Sequence, residues 1–251
     1  MIRSVFGFLL GIIVLPACSG GASSLKADSF RPAERTQVVQ IVRDALRKDP
    51  TILREAILVL QADNARVEAG AIRATIATRH DALFDPRSAS VGNPQGAVAI
   101  AEFFDPQCPY CRRLAPQMTQ FLMKDRDVRL VYKDLPILGP ASELGSRALL
   151  AARRQGAYEP LRDAVMRDPQ EITLGLIRQK AQHLRLNWPR LRRDMDDPAV
   201  AQELTANKRL AQMLGIDGTP AFVIGGKIVS GADISQIANA AAVARRRINA
   251  L

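Results

Sequence analysis

The sequence predicts an α/β protein whose sheet is interrupted by an all-helical insertion and preceded by a helical extension. Three observations carry that prediction. Ala97–Phe104 (AVAIAEFF) is apolar at nearly every position, as a strand covered on both faces must be. From about 141 to 214 apolar residues recur at helical spacing, with breaks at Gly156, Asp168-Pro169, Asn187-Trp188-Pro189 and Asp197-Pro198. The chain then returns to strand character. Ala221–Ile224, a Gly225-Gly226 turn and Ile228–Ser230 form a hairpin, after which Asp233 caps a last helix to about Ile248.

At the N-terminus, Arg3 precedes an apolar run, Val5–Leu15, too short to span a bilayer and suited to the core of a signal peptide. Small residues follow, so 1–22 reads as an export signal with cleavage near Ala22. Leu15-Pro16-Ala17-Cys18 also resembles a bacterial lipobox, in which case the signal ends before Cys18 and that residue carries lipid; Pro16 fits this pattern poorly. Either route removes the third thiol in an oxidising compartment, the periplasm or cell envelope.

Residues 23–31 read as a linker, and Pro32 opens a helical region covering 32–84. Asp49-Pro50 restarts the helix, with Asp49 as N-cap and Pro50 at its first position. Leu53, Ile57, Leu60, Asn64, Val67, Ala71 and Ala74 then alternate spacings of four and three, a heptad seam with one polar member. The seam predicts a homo-oligomer through 32–84; the plainer alternative is an amphipathic helix lying on its own domain. Residues 88–251 form the main domain, with the insertion at about 141–214. Ser88–Val91 is its first short strand, a helix starts near Pro109, and Val128–Tyr132 is another strand.

The chain has 251 residues, 47% apolar and 24% charged, which is ordinary for a globular protein. A formal charge of +10 suggests anionic partners, but Lys and Arg are scattered, aromatics make up 5%, and no nucleic-acid motif is present. Arg245-Arg246-Arg247 sits where a helix C-terminus favours cations. The sequence therefore predicts no nucleic-acid partner.

Chemistry concentrates at Phe103-Phe104-Asp105-Pro106-Gln107-Cys108-Pro109-Tyr110-Cys111, where a strand runs into a helix. Cys108 at the helix N-terminus has its thiolate favoured by free N–H groups and the helix dipole. Cys111, one turn inside, is placed to attack a mixed disulfide formed at Cys108. A zinc site needs more ligands than Cys18 and the two separated histidines, His80 and His183, can supply. An inert disulfide is the other structural alternative, and two thiolates can also hold Cu(I). Glu102 interrupts the apolar strand on the face of Val98, Ile100 and Phe104. Burial would raise its pKa and let it accept the proton of Cys111, unless it reaches solvent at the strand end.

Taken together, these motifs resemble the DsbA family of thioredoxin-fold oxidoreductases. The likeness rests on Cys108–Cys111, Glu102 six places before the pair, Gly218-Thr219-Pro220 before a strand and hairpin, and the helical insertion between them. It covers roughly Ser88–Leu251 and implies a thioredoxin-like fold in which Pro220 is cis and faces the cysteines. It also implies that the Thr219 backbone contacts the substrate strand, that Pro109 and Tyr110 tune the pair, and that Lys133 adds positive potential nearby. A helical N-terminal region with a Cys-Pro-Tyr-Cys site is similar to the ScsC-type subgroup, whose helices oligomerise the catalytic domains. DsbC-type isomerases share the Cys-x-Tyr-Cys and Thr-Pro features but carry a β-rich dimerisation domain, which this chain lacks. The His that strongly oxidising DsbA proteins place between the cysteines is also missing, so a less oxidising couple is expected.

The resemblance thus implies an exported thiol-disulfide oxidoreductase, with isomerase activity favoured and a dithiol oxidase or a Cu(I)-binding protein as alternatives. Its partners would be exported proteins bearing thiols or disulfides and a membrane redox protein. It would use no cofactor beyond the Cys108–Cys111 disulfide.

Overall fold

The computed structural model describes residues 31–250. The expected signal peptide, the lipid site at Cys18 and nearly all of the 23–31 linker lie outside those residues. Packing divides the chain into two units between Gln61 and Ala62.

The first unit holds α1 (Pro32–Lys48) and the opening turns of α2 (Thr51–Thr78), which crosses the division. Pro32 starts α1, and the Glu34 carboxylate accepts the Arg31 backbone N–H at 2.8 Å. Asp49 accepts the Thr51 N–H at 3.0 Å, and α2 begins at Thr51, one residue after the Pro50 start that the sequence implied. No residue of α1 is buried, and Val38, Val39, Ile41, Leu53, Ile57 and Leu60 are all exposed.

The second unit contains the rest of α2, α3 (His80–Leu83), β1 (Ser90–Gly92), β2 (Val98–Phe104), α4 (Pro109–Lys124) and β3 (Val128–Asp134). The insertion follows as α5 (Pro140–Arg153), α6 (Tyr158–Met166), α7 (Leu174–His183), α8 (Trp188–Met195) and α9 (Pro198–Met213). β4 (Ala221–Ile224), β5 (Lys227–Ser230) and α10 (Ile234–Ile248) complete the unit. Side chains cap the helices where the sequence placed its breaks: Asn187 accepts from Arg190, Asp197 from Ala199 and Asp233 from Ser235. This is a thioredoxin-like fold, with the strands ordered β1-β3-β2-β4-β5.

β2 is central, parallel to β3 and antiparallel to β4, so both of its edges are paired. Alternation along it separates two cores. Val98, Ile100 and Phe104 face the helices that carry Cys108, Cys111 and Leu114, and much of the insertion packs there too. Ala101 and Phe103 face Leu210, Ala211 and Leu214 of the α9 end. Glu102 shares the first face. It has 0% of its surface exposed, so it does not reach solvent at the strand end.

Several boundaries differ from expectation: β1 is Ser90–Gly92 where Ser88–Val91 was implied, β2 starts one residue later at Val98, and β5 starts one residue earlier at Lys227. β3 continues two residues to Asp134 because parallel pairing with β2 runs on to Phe104↔Asp134. The end of the expected 32–84 region packs with the sheet: Ile76 and Leu83 are buried beside Ala101 and Phe103, with Ile72 against them. Ile72 and Ile76 share a helix face by their spacing of four, whereas the seam residues Ala71 and Ala74 stay exposed.

Candidate active site

The strand-to-helix turn after β2 is built around Asp105. This residue is fully buried, and its carboxylate accepts the N–H of Gln107 at 2.7 Å, of Ile137 at 2.8 Å and of Leu138 at 3.0 Å. One side chain thus pins the turn to the loop after β3. Cys108 follows as the N-cap of α4 and Pro109 takes the first helical position, as the spacing implied.

The two thiols are free and buried, Cys108 at 4% exposure and Cys111 at 0%. Their environments push them in opposite directions. The Cys111 thiol donates to the Cys108 sulfur, and this contact, helped by the backbone N–H groups of Cys111 and Tyr110, outweighs burial and brings Cys108 down to about 5. Burial pushes Cys111 far above the ordinary thiol range, and the neighbouring Cys108 and Glu102 charges raise it further. At neutral pH the arrangement holds one thiolate and one thiol side by side.

Across from them, the Thr219–Pro220 peptide bond is cis, and the Thr219 carbonyl oxygen lies 3.3 Å from Cys108 Sγ. Tyr110 is exposed at 57%, with the Arg113 guanidinium 4.6 Å from its ring centre. The structure therefore brings Cys108, Cys111, Pro109, Tyr110, Thr219 and Pro220 into one cluster, with Pro109 and Tyr110 exposed and Cys111 and Pro220 buried.

Lys133 is not part of this cluster. It pairs with Phe103, on the opposite sheet face from Glu102, and its ammonium donates to the Ala82 carbonyl at 2.7 Å and to Ser88 Oγ at 3.0 Å. The family resemblance implies a charge near the cysteines. Strand alternation instead turns it to the other side, where it ties β3 to the segment before β1.

Three residues that sequence reasoning passed over help to build the site. Asp105 is one. Arg112 is another: its guanidinium donates to the Pro106 carbonyl at 2.8 Å and to the Asp168 carbonyl at 2.8 Å, fastening the active turn to the insertion. The third is Arg162 in α6, 2% exposed, with Nη2 3.6 Å from Glu102 Oε1. Burial raises the Glu102 pKa, and the Arg162 charge opposes that shift. An arginine in the apolar α6 segment was the available signal, but nothing local said which way it pointed.

Among the described residues no three of His, Cys, Asp and Glu gather as a metal site. His183 bonds its own helix, to the Gln179 carbonyl, and His80 packs on the Phe84 ring.

Residues 99–241 match the DSBA-like thioredoxin domain family, and residues 34–66 match the copper resistance protein ScsC N-terminal domain. A thioredoxin-like oxidoreductase from Silicibacter pomeroyi is 40% identical, with a TM-score of 0.64, covering 66% of this chain and 97% of that one. Proteus mirabilis ScsC in a compact conformation is 31% identical, with a TM-score of 0.60, over 78% of this chain and 98% of that one. A periplasmic thioredoxin-like protein from Salmonella enterica serovar Typhimurium is 28% identical, with a TM-score of 0.60, over 66% and 94%.

The curated relatives include the Na(+)/H(+) antiporter NhaA 3 of Salinispora tropica, 28% identical over 146 residues. That stretch is 57% of this chain but 22% of the antiporter, so the chain spans about a fifth of that relative's length. No helix among the described residues is long and apolar enough to cross a membrane.

Proposed function

The chain belongs to the family of DSBA-like thioredoxin domains, and from that premise we propose that it is an exported disulfide isomerase working through Cys108-Pro109-Tyr110-Cys111. The observation that carries this reading is the opposed ionisation of the two cysteines, one held near 5 and the other raised by burial.

The Cys108 thiolate attacks a substrate disulfide, forming a mixed disulfide and releasing one substrate thiolate. In isomerisation, another substrate thiolate attacks the mixed disulfide at the substrate sulfur. A new substrate disulfide forms, Cys108 leaves as thiolate, and no net oxidation occurs. When a mixed disulfide persists, Cys111 resolves it and passes its proton to Glu102. Thr219 and Pro220 hold the substrate chain beside the sulfurs, and Pro109 and Tyr110 shape the contact surface. Operation as an oxidase would instead carry electrons from two substrate thiols to the Cys108–Cys111 disulfide, and a membrane redox partner would reoxidise the pair.

Two features favour isomerisation. No imidazole stands between the cysteines to stabilise the thiolate further. The exposed apolar faces of α1 and α2 suit burial against further copies of this chain, which would set several catalytic domains around one substrate. The periplasmic description of the Salmonella relative supports a place in the cell envelope. The copper in the matched N-terminal description belongs to residues 34–66, which contain neither Cys nor His, so that match adds no soft ligand.

The test is refolding of a scrambled-disulfide substrate in a glutathione buffer. The mature protein is compared with Cys108→Ser and with a chain beginning at Ala62. Recovery should need Cys108 and should fall without residues 32–61. Activity limited to oxidising reduced substrate, and indifferent to the truncation, would make the protein an oxidase. Full recovery with Cys108→Ser would end the catalytic reading.

A further inference from the structure

We propose that Arg162, supplied by the helical insertion, is a positioning residue that keeps Glu102 ionised and thereby sets the pH range over which Cys111 resolves mixed disulfides. The inference rests on the reading of Glu102 as proton acceptor.

Glu102 has no exposed surface, and neither carboxylate oxygen has a hydrogen-bond partner. A carboxylate in that setting would take up a proton unless a cation stood beside it. The cation is Arg162, with Nη2 3.6 Å from Oε1. That separation supplies charge without a close hydrogen bond, so the carboxylate lone pairs stay open to an incoming proton. The guanidinium is held by two rings, 4.8 Å from the Phe104 centre and 4.4 Å from the Tyr132 centre. Its Nε and Nη2 also lack hydrogen-bond partners, while Nη1 donates to Asp163 Oδ1 at 3.5 Å, so the rings, Glu102 and Asp163 fix its place.

The other elements around Glu102 bring little competing charge. β3 places Tyr132 in register with it, and burial keeps that phenol protonated. β4 places Phe222 opposite, and α10 brings Ile237 and Ala241 to the same core. α4 contributes Cys111, with Cys108 beyond it. On α6, Glu159 and Asp163 bear on the Arg162 cluster, with Asp163 3.5 Å from Nη1. Tyr158 and the buried Asp134, hydrogen-bonded at 2.6 Å, adjoin the cluster behind Tyr132. Arg162 is the one cation that bears on the Glu102 carboxylate among the described residues.

In the resolving step, the Cys111 sulfur attacks Cys108 Sγ and the bond from Cys108 to the substrate sulfur breaks. The electron pair leaves with the substrate as thiolate, and the Cys111 proton passes to Glu102. The cysteine pair is oxidised and the substrate disulfide reduced, so the step balances. It requires Glu102 to start as carboxylate, the form that the Arg162 charge favours against burial.

The experiment is rapid mixing of the reduced protein with glutathione disulfide, followed by acid quench and mass analysis across a range of pH. This separates formation of the mixed disulfide at Cys108 from its resolution by Cys111. Arg162→Met should move the acid limb of the resolution profile upward by about one unit or more, a loss of about tenfold at fixed pH below the limb. The rate should recover at higher pH, and the formation step should not change. Arg162→Lys should restore the limb close to its original position. Glu102→Gln should be slow throughout and lack the limb, and adding Arg162→Met to it should cost nothing more.

An unmoved limb in Arg162→Met, with the limb lost in Glu102→Gln, would overturn the role of Arg162 and leave Glu102 as acceptor. An unchanged profile in Glu102→Gln would instead remove the acceptor itself. Should Arg162→Met not fold, Arg162→Gln takes its place in the same comparison.

Discussion

Cys108 and Cys111 are the same amino acid three positions apart, yet one is driven toward thiolate and the other toward thiol. The strongest influence on Cys108 is the thiol of its partner, ahead of the helix N–H groups. Alkylation of the reduced native protein should therefore titrate with a midpoint near about 5, and Cys111→Ala should move that midpoint upward. A midpoint in the ordinary thiol range for the unmodified protein would contradict the geometry. The same shift bears on stability. The folded pKa of Cys108 lies below the ordinary 9.0, so its contribution to the reduced form is complete above about 9 and is lost as pH falls through about 5. Asp134 has the opposite sign. Burial raises it to about 7, so its contribution is full below the ordinary 3.8 and is lost as pH rises through about 7.

Among the elements, α5 packs against the active turn through a glycine. A Cβ on Gly145 would sit 2.8 Å from Ile172 Cδ1 and 3.0 Å from Pro106 Cγ. Alanine would gain about 1 kcal/mol of helix propensity, while overpacking of this kind costs about 1–3 kcal/mol. Gly145→Ala should therefore lower stability by about 1 kcal/mol in a denaturant titration, with the Cys108 turn disturbed because Pro106 lies two residues before it. A gain in stability would mean that the Ile172 side chain moves aside freely. In α2 the seam residues Leu53, Ile57, Leu60 and Val67 are exposed. The second set, Ile72 and Ile76, was hidden in the same periodicity. Helical spacing shows that faces exist; it does not say what covers each one.

For the molecule as a whole, the useful cut lies between Gln61 and Ala62 and not at the end of the helical region. A chain beginning at Ala62 keeps Ile76, which is 6% exposed, in the core beside Phe103. One beginning at Ala82 removes it. The shorter chain should be less stable by about 2–5 kcal/mol, the usual cost of emptying one buried aliphatic position. The Ala62 chain should unfold close to the full protein and sediment as a monomer, while the full protein sediments as an oligomer. Equal stability of the two truncations would show that the Ile76 contact contributes nothing. A monomeric full-length protein would leave the exposed faces of α1 and α2 without the role proposed for them.

Local signals determined most of the elements. Pro109 starts α4, Asn187, Asp197 and Asp233 cap their helices, and Ala221–Ile224 is a strand with the bounds the sequence implied, because each depends on neighbours a few residues away. The cysteine pair, Glu102 and the Thr219-Pro220 step stood out in the sequence for a related reason: their residue types and order are unusual, and the structure gathers them at one end of β2. Tertiary structure decided what lies across from what. It turned Lys133 to the far face of the sheet and gave Asp105 three backbone donors, two of them more than 30 residues away. It also carried Arg162 from the insertion to Glu102, 60 positions earlier. Lys, Asp and Arg are ordinary surface residues in any window of sequence, and only strand register and helix packing bring them into the interior.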